Sequence, residues 1–99
     1  MFKIEEFKEF IEEICRELRV KRLELVGSAA RDDFRPEASD IDVLVEFEGT
    51  DRRFDRYFEL KMRLERQFGR HVDVMEDSAV KNPYMRKRLD RDRTRIYGS

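Results

Sequence analysis

Asp40 and Asp42 stand one residue apart and lead into the apolar run VLVEF, while Asp73 stands between Val72 and Val74. On a strand, residues i and i+2 point to the same face, about 6.5–7 Å apart along the backbone. If the strand holding Asp73 lies beside that of Asp40 and Asp42, three carboxylates converge at one edge of a sheet. Like charges that close raise one another's pKa unless a cation neutralises them. Hard oxygen donors of this kind suit magnesium or manganese, which keep several waters and take further ligands from phosphates. A plainer reading makes each aspartate a strand-end residue that caps a loop or pairs with one of the chain's 22 lysines and arginines. That reading accounts less well for three carboxylates in strands otherwise made of valine, isoleucine and leucine.

Gly27-Ser28 ends the preceding strand pattern. Glycine lets backbone approach a ligand closely, and exposed N–H groups beside a serine hydroxyl can hold phosphate oxygens. Gly-Ser is also an ordinary turn, and Arg31 either reaches a triphosphate or balances Asp32 and Asp33. Neither a GxxxxGK[ST] loop nor a GxGxxG fingerprint is present, which excludes the common P-loop and Rossmann readings. A phosphate-holding turn beside a carboxylate cluster describes two-metal phosphoryl or nucleotidyl transfer, with ions about 3.5–4 Å apart. His71, the single histidine, reads as a surface residue at a strand start rather than a proton carrier.

The elements that must position these groups are legible from periodicity. Ile4, Phe7, Ile11, Ile14 and Leu18 recur at helical spacing over residues 3–18. RLELV, residues 22–26, alternates as a short strand, and Ser28 caps a helical turn. IDVLVEF, residues 41–47, is the strongest strand signal. Tyr57, Leu60, Leu64 and Phe68 form the stripe of a helix over 52–68, which Gly69 stops. HVDVM, residues 71–75, is a third strand, Pro83 opens a further helix, and RIY, residues 95–97, adds a short strand. The pattern predicts an α/β domain spanning residues 1–99: a small sheet of three to four strands flanked by helices.

Bulk properties narrow the function classes. Charge is abundant but balanced at a formal net of −1, which is not the profile of a general nucleic-acid binder. Locally, Lys81 to Arg95 holds seven basic residues against Asp90 and Asp92. This is either a solvated helix face or an electropositive rim for an anionic substrate or partner. Cys15 is alone, so no intrachain disulfide forms, and its place on an apolar helix face makes it a core thiol. No signal peptide or membrane-spanning run is evident, so the expected location is the cytoplasm. Gly98-Ser99 is given no role.

Gly27-Ser28, ten residues, then Ser39-Asp40-Ile41-Asp42 resembles the GS-x10-(S)DxD signature of the DNA polymerase β nucleotidyltransferase superfamily. The short chain and the segment FELKMRLERQFGRHVDVMEDSAVKNPYMRKR resemble the minimal nucleotidyltransferases, the MNT or MntA-like antitoxins. The resemblance implies the nucleotidyltransferase fold, with Asp40 and Asp42 as paired metal-binding aspartates. It implies that Asp73 is the third carboxylate, which helps hold the catalytic metal and deprotonate the acceptor hydroxyl. Gly27 and Ser28 match the triphosphate-binding turn and Arg31 the arginine of GSxAR, with Asp32-Asp33 where Gly-Glu is common. It further implies Mg2+ (two ions) or Mn2+, ATP as substrate, and a HEPN-domain ribonuclease toxin as partner. Such antitoxins bind the toxin and transfer AMP from ATP to one of its tyrosines.

Two classes of function follow. In the first, the chain is an enzyme that adenylylates a tyrosine of a cognate toxin; in the second, it is an antitoxin that mainly occludes the toxin through the material around Pro83 to Arg95. Nucleotide addition to a nucleic acid or small molecule ranks lower, because no clamp or further domain fits in the remaining residues. Self-modification at Tyr57, Tyr84 or Tyr97 is chemically open.

Overall fold

The stripe Ile11, Ile14 and Cys15 is fully buried on one side of helix α1 (Lys8–Glu17), which a short 3-10 turn, Ile4–Phe7, precedes. A computed structural model describes residues 3–27 and 40–98. After α1 come strand β1 (Val20–Val26), strand β2 (Ile41–Phe47), helix α2 (Arg53–Phe68) and strand β3 (Val72–Glu76). A 3-10 turn at Asp77–Ala79, helix α3 (Pro83–Arg91) and strand β4 (Arg93–Gly98) complete the order. Ser28, Arg31 and the expected turn at Ser28 lie outside the described residues.

The four strands form one mixed sheet in the order β3-β2-β1-β4. β1 runs antiparallel to β2 and β4, whereas β2 and β3 are parallel and joined through α2. The expected strand at residues 95–97 is therefore real but longer. It extends through Gly98, whose backbone pairs with Arg22. A side chain on Gly98 would meet the Lys21 carbonyl oxygen at 2.2 Å, so the position at this sheet edge is closed to larger residues.

Period-two patterning divides the sheet into two faces. Leu23, Leu25, Ile41, Val43, Val45, Phe47, Val72 and Val74 join the core under α1 and α2. Cys15 lies in that core as expected, and burial pushes its thiol up to about 12. The opposite face carries Val26 and Leu44, which pack with Leu89 of α3, Met75 and Val80 into a second, smaller cluster. α3 is set by sequence: Asn82 accepts from the N–H groups of Tyr84 (2.9 Å) and Met85 (3.3 Å), and Pro83 occupies the first turn.

Beside that small cluster an ion network replaces apolar packing. Asp77 accepts from Arg22 at 2.7 Å and from Arg86 at 2.6 Å, and Arg22 also reaches Glu46 at 3.2 Å. Arg93 links Glu24 to Asp90. Burial alone would push the Asp77 carboxyl up, but Arg86, Arg93 and Arg22 outweigh it and hold it below the usual carboxylate range.

A second polar device, invisible to periodicity, locks the end of the sheet under α2. Arg56 is only 6% exposed. Its guanidinium donates to the carbonyls of Leu18 (3.1 Å), Arg19 (3.4 Å), Glu48 (2.9 Å), Gly49 (3.3 Å) and Asp51 (3.0 Å). It also stacks over Phe47. The two turns it ties together each contain a non-glycine residue at positive φ, Arg19 at 54° and Arg52 at 51°. Such residues cost about 1–2 kcal/mol each, and the Arg56 fork offsets that strain. Arg56→Met should lower the stability by about 2–4 kcal/mol, because buried carbonyls lose their donors. Arg56→Lys should recover less than half, since an ammonium lacks the planar fork. Urea unfolding of the two variants measures both; an unchanged midpoint for Arg56→Met would show that the turns hold without it.

Candidate active site

The parallel pairing of β2 with β3 sets Ile41 opposite Val72 and Asp42 opposite Asp73. Side chains opposite one another in neighbouring strands share a face. Ile41 and Val72 point into the larger core, so Asp42 and Asp73 must point out of it, toward the α3 side. Asp40 precedes the first residue of β2 and is exposed. Asp40, Asp73 and His71 present ligand atoms that all lie within 4.8 Å of one another. Asp42 joins this group through Asp73, to which its carboxyl can donate when protonated. The structure thus brings together the three carboxylates that the sequence nominates, with Asp73 as the shared member.

The electrostatics record the cost of that placement. Burial, then the Asp73 charge and the hydrogen bond to Asp73, push the Asp42 carboxyl up to about 6, and Asp40 adds to the effect. A proton or a cation relieves the repulsion, and three carboxylates with an imidazole alongside form a donor set that fits magnesium or manganese.

His71 is more than a surface residue at a strand start. It is half-exposed, but its Nδ1 lies 2.9 Å from Glu65 and its Nε2 lies 2.8 Å from Asp73. An imidazolium donates to both carboxylates, whereas a neutral ring donates to only one. Glu65, on the last turns of α2, also accepts from the Val72 N–H at 3.1 Å, so it fixes the entry to β3. That N–H is the main cause holding the Glu65 carboxyl below its usual value, against the opposing pull of burial. The i, i+2 spacing of His71 and Asp73 is a signal that sequence carries; the Glu65 contact is not.

Gly27 closes the group on the β1 side. Its φ is +66°, and a Cβ placed there would come within 3.3 Å of an Asp42 oxygen. Both facts favour glycine, and both bring bare backbone against the carboxylates. A cavity of about 460 Å3 opens here, lined by Gly27, Asp42 and Asp73 on the sheet, by Met75, and by Met85, Arg88, Leu89, Arg91 and Asp92 from α3 and its end. The size and the mixture of apolar and charged walls suit a small organic ligand. Ser28 and Arg31, the other nominated phosphate ligands, lie outside the described residues.

The raised carboxyl has a consequence for stability without metal. In the folded chain Asp42 holds its proton up to about pH 6, against 3.8 for an ordinary aspartate. Between those values the folded state binds more protons, so stability falls as pH rises through the interval. Asparagine escapes this loss. In EDTA, Asp42→Asn should therefore be more stable than the parent at pH 8, on the order of 2 kcal/mol. The two should converge below about pH 4. Thermal unfolding across pH measures the difference; a gap that widens on acidification would contradict the assigned cause.

Comparison with known proteins places this geometry. Residues 7–96 match the family of the nucleotidyltransferase domain. A Methanocaldococcus jannaschii protein assigned as a protein adenylyltransferase is 40% identical over 75 residues, spanning 75% of this chain and 74% of the relative. A solved structure described as a minimal nucleotidyltransferase superposes with a TM-score of 0.76 at 30% identity, covering 92% of this chain and 90% of that one. The fold is also that of the MNT antitoxin found in complex with a tri-AMPylated HEPN toxin of Shewanella oneidensis, with a TM-score of 0.67 at 16% identity over 98% of this chain and 74% of that chain. The family model matches nearly the whole chain, and a 40% identical relative spans three-quarters of it: this chain belongs to the nucleotidyltransferase-domain family.

Proposed function

We propose that the chain is an antitoxin that transfers AMP from ATP to a tyrosine hydroxyl of a HEPN ribonuclease toxin and thereby neutralises it. The observation that carries this reading is the in-register Asp42–Asp73 pair beside a positive-φ glycine, at the mouth of a cavity of nucleotide size. The relatives support the chemistry and the partner: one is assigned as a protein adenylyltransferase, and another of the same fold sits on an AMPylated HEPN toxin.

In this reading Asp40, Asp42 and Asp73 hold the divalent cations, magnesium first and manganese second. Those cations would supply charge neutralisation for the phosphates and activation of the attacking oxygen. Gly27 and Ser28 give bare backbone and a hydroxyl to the triphosphate, and Arg31 adds a positive charge. The acceptor oxygen attacks the α-phosphorus while the bond from that phosphorus to the α,β-bridging oxygen breaks, and pyrophosphate leaves. In this reading Asp73 takes the hydroxyl proton. His71, itself held by Glu65, keeps the Asp73 carboxylate in position.

The acceptor side also has a physical basis. Tyr84 and Met85 at the start of α3 are 82% and 44% exposed, and Met85 lines the cavity as well. A partner that rests on this rim can present a side chain to the carboxylates.

Incubating the chain with its toxin, ATP and magnesium should add adenylyl mass to the toxin. Asp40→Ala/Asp42→Ala should reduce the rate by at least about a thousandfold, the scale of lost phosphoryl-transfer stabilisation. Intact-mass spectrometry of the toxin reads the result. Equal modification by the double variant would discard the site. Full rescue of toxicity by a double variant that transfers no AMP would move the function from catalysis to occlusion.

A further inference from the structure

The two walls of the cavity carry opposite charge. On the sheet wall stand Asp42 and Asp73; on the α3 wall stand Arg88 and Arg91. An i, i+3 pair lies on one face of a helix, so both arginines are presented to the same space. Two other arginines of this segment are differently employed. Arg86 is bound to Asp77 at 2.6 Å, and Arg93 bridges Glu24 and Asp90 in the ion network. Arg88 has no ion-pair partner among the described residues, and Arg91 reaches only its neighbour Asp92, at 3.8 Å. Asp92, which also lines the cavity, leaves the wall with a net positive charge.

We propose that Arg88 and Arg91 bind the polyphosphate of the nucleotide from the side opposite the carboxylates. The inference rests on the nucleotidyl-transfer reading and adds to it two phosphate-binding residues that the GS turn and the aspartates do not include. A ligand that enters this cavity meets carboxylates on one side and guanidinium groups on the other. A metal–polyphosphate satisfies both walls at once, cation toward Asp42 and Asp73 and phosphate oxygens toward Arg88 and Arg91. An acidic protein surface satisfies only one. Met75, Met85 and Leu89, in the same cavity, give apolar surface on which a nucleoside can rest. Four of the seven basic residues from Lys81 to Arg95 thereby divide by role: Arg86 and Arg93 face the ion network, and Arg88 and Arg91 face the cavity.

The test measures equilibrium binding of ATP, inorganic tripolyphosphate and adenosine in magnesium to the parent chain, Arg88→Gln, Arg91→Gln and the double variant. Arg66→Gln, an exposed change on α2 at the other face of the sheet, controls for net charge. Each cavity substitution should weaken ATP and tripolyphosphate about tenfold, and the double variant about a hundredfold, with adenosine affinity unchanged. Arg66→Gln should alter none of them by more than about twofold. ATP binding by the double variant equal to that of the parent would overturn the inference and leave the nucleotidyl-transfer reading standing. A parent chain that binds no ATP would overturn both. A double variant that binds ATP normally but no longer holds the toxin would assign the arginines to the partner instead, and overturns the inference. Circular dichroism and urea midpoints of the variants verify that any loss belongs to a folded chain.

Discussion

The alignment of β2 with β3 is the constraint on which the site depends. In parallel register, Val72 and Val74 meet Ile41 and Val43 in the larger core, and Asp73 meets Asp42 on the other face. A slip of one residue would send Asp73 inward among valines and leave Asp42 without its neighbour. Burying an unpaired carboxylate costs several kcal/mol, so the core that enforces the register also enforces the juxtaposition of like charges. The repulsion it imposes shows as the raised Asp42 carboxyl. Hydrophobic burial thus overcomes an unfavourable contact at the candidate site.

Several contacts hold that register at its ends. The Ile41 N–H donates to the His71 carbonyl at 3.2 Å, and Glu65 receives the Val72 N–H. Tyr57 donates its hydroxyl to the Val74 carbonyl at 2.8 Å from the middle of α2. The helix between the two strands therefore does more than cover the core. It grips β3 by the backbone of Val72 and Val74, with Lys61 also donating to the Val72 carbonyl, and through Glu65 and His71 it reaches the carboxylate edge.

What was legible in the sequence is what apolar periodicity and short spacing encode. β2 occupies the expected residues 41–47, and α2 ends at Gly69, whose φ of +70° makes it a true stop. Asp40, Asp42 and Asp73 were legible as a set because alternation fixes which face an aspartate takes once its neighbours are known to be apolar. Strand pairing was not, since nothing local distinguishes β2 beside β3 in parallel from other orders. Arg56 was hidden for a related reason. It is one arginine among many on a helix whose apolar stripe is complete without it, and its five acceptors are carbonyls, which leave no mark in side-chain identity. His71 lay between these cases: its spacing from Asp73 was visible, but its value depends on Glu65 being brought across from α2.

The α3 side of the sheet shows how so short a chain keeps stability and chemistry apart on one surface. Val26 pairs with Asp42, Glu24 with Leu44, and Arg22 with Glu46, so the face changes along the strands from carboxylate to apolar to ion pair. At the ion-pair end, Asp77, Glu24 and Glu46 each meet an arginine, and the charges are neutralised within the fold. At the other end, carboxylates face carboxylates, and the nearest cations of α3 stand across a cavity. The intervening Leu44, Leu89 and Met75 cluster separates the two regions by a few side chains of apolar packing. If the arginines of the network could swing to the aspartates, they would neutralise those carboxylates from within the fold. Their short contacts to Asp77 and Asp90 prevent that, so the salt bridges that fasten α3 to the sheet also leave Asp42 and Asp73 without an arginine partner among the described residues.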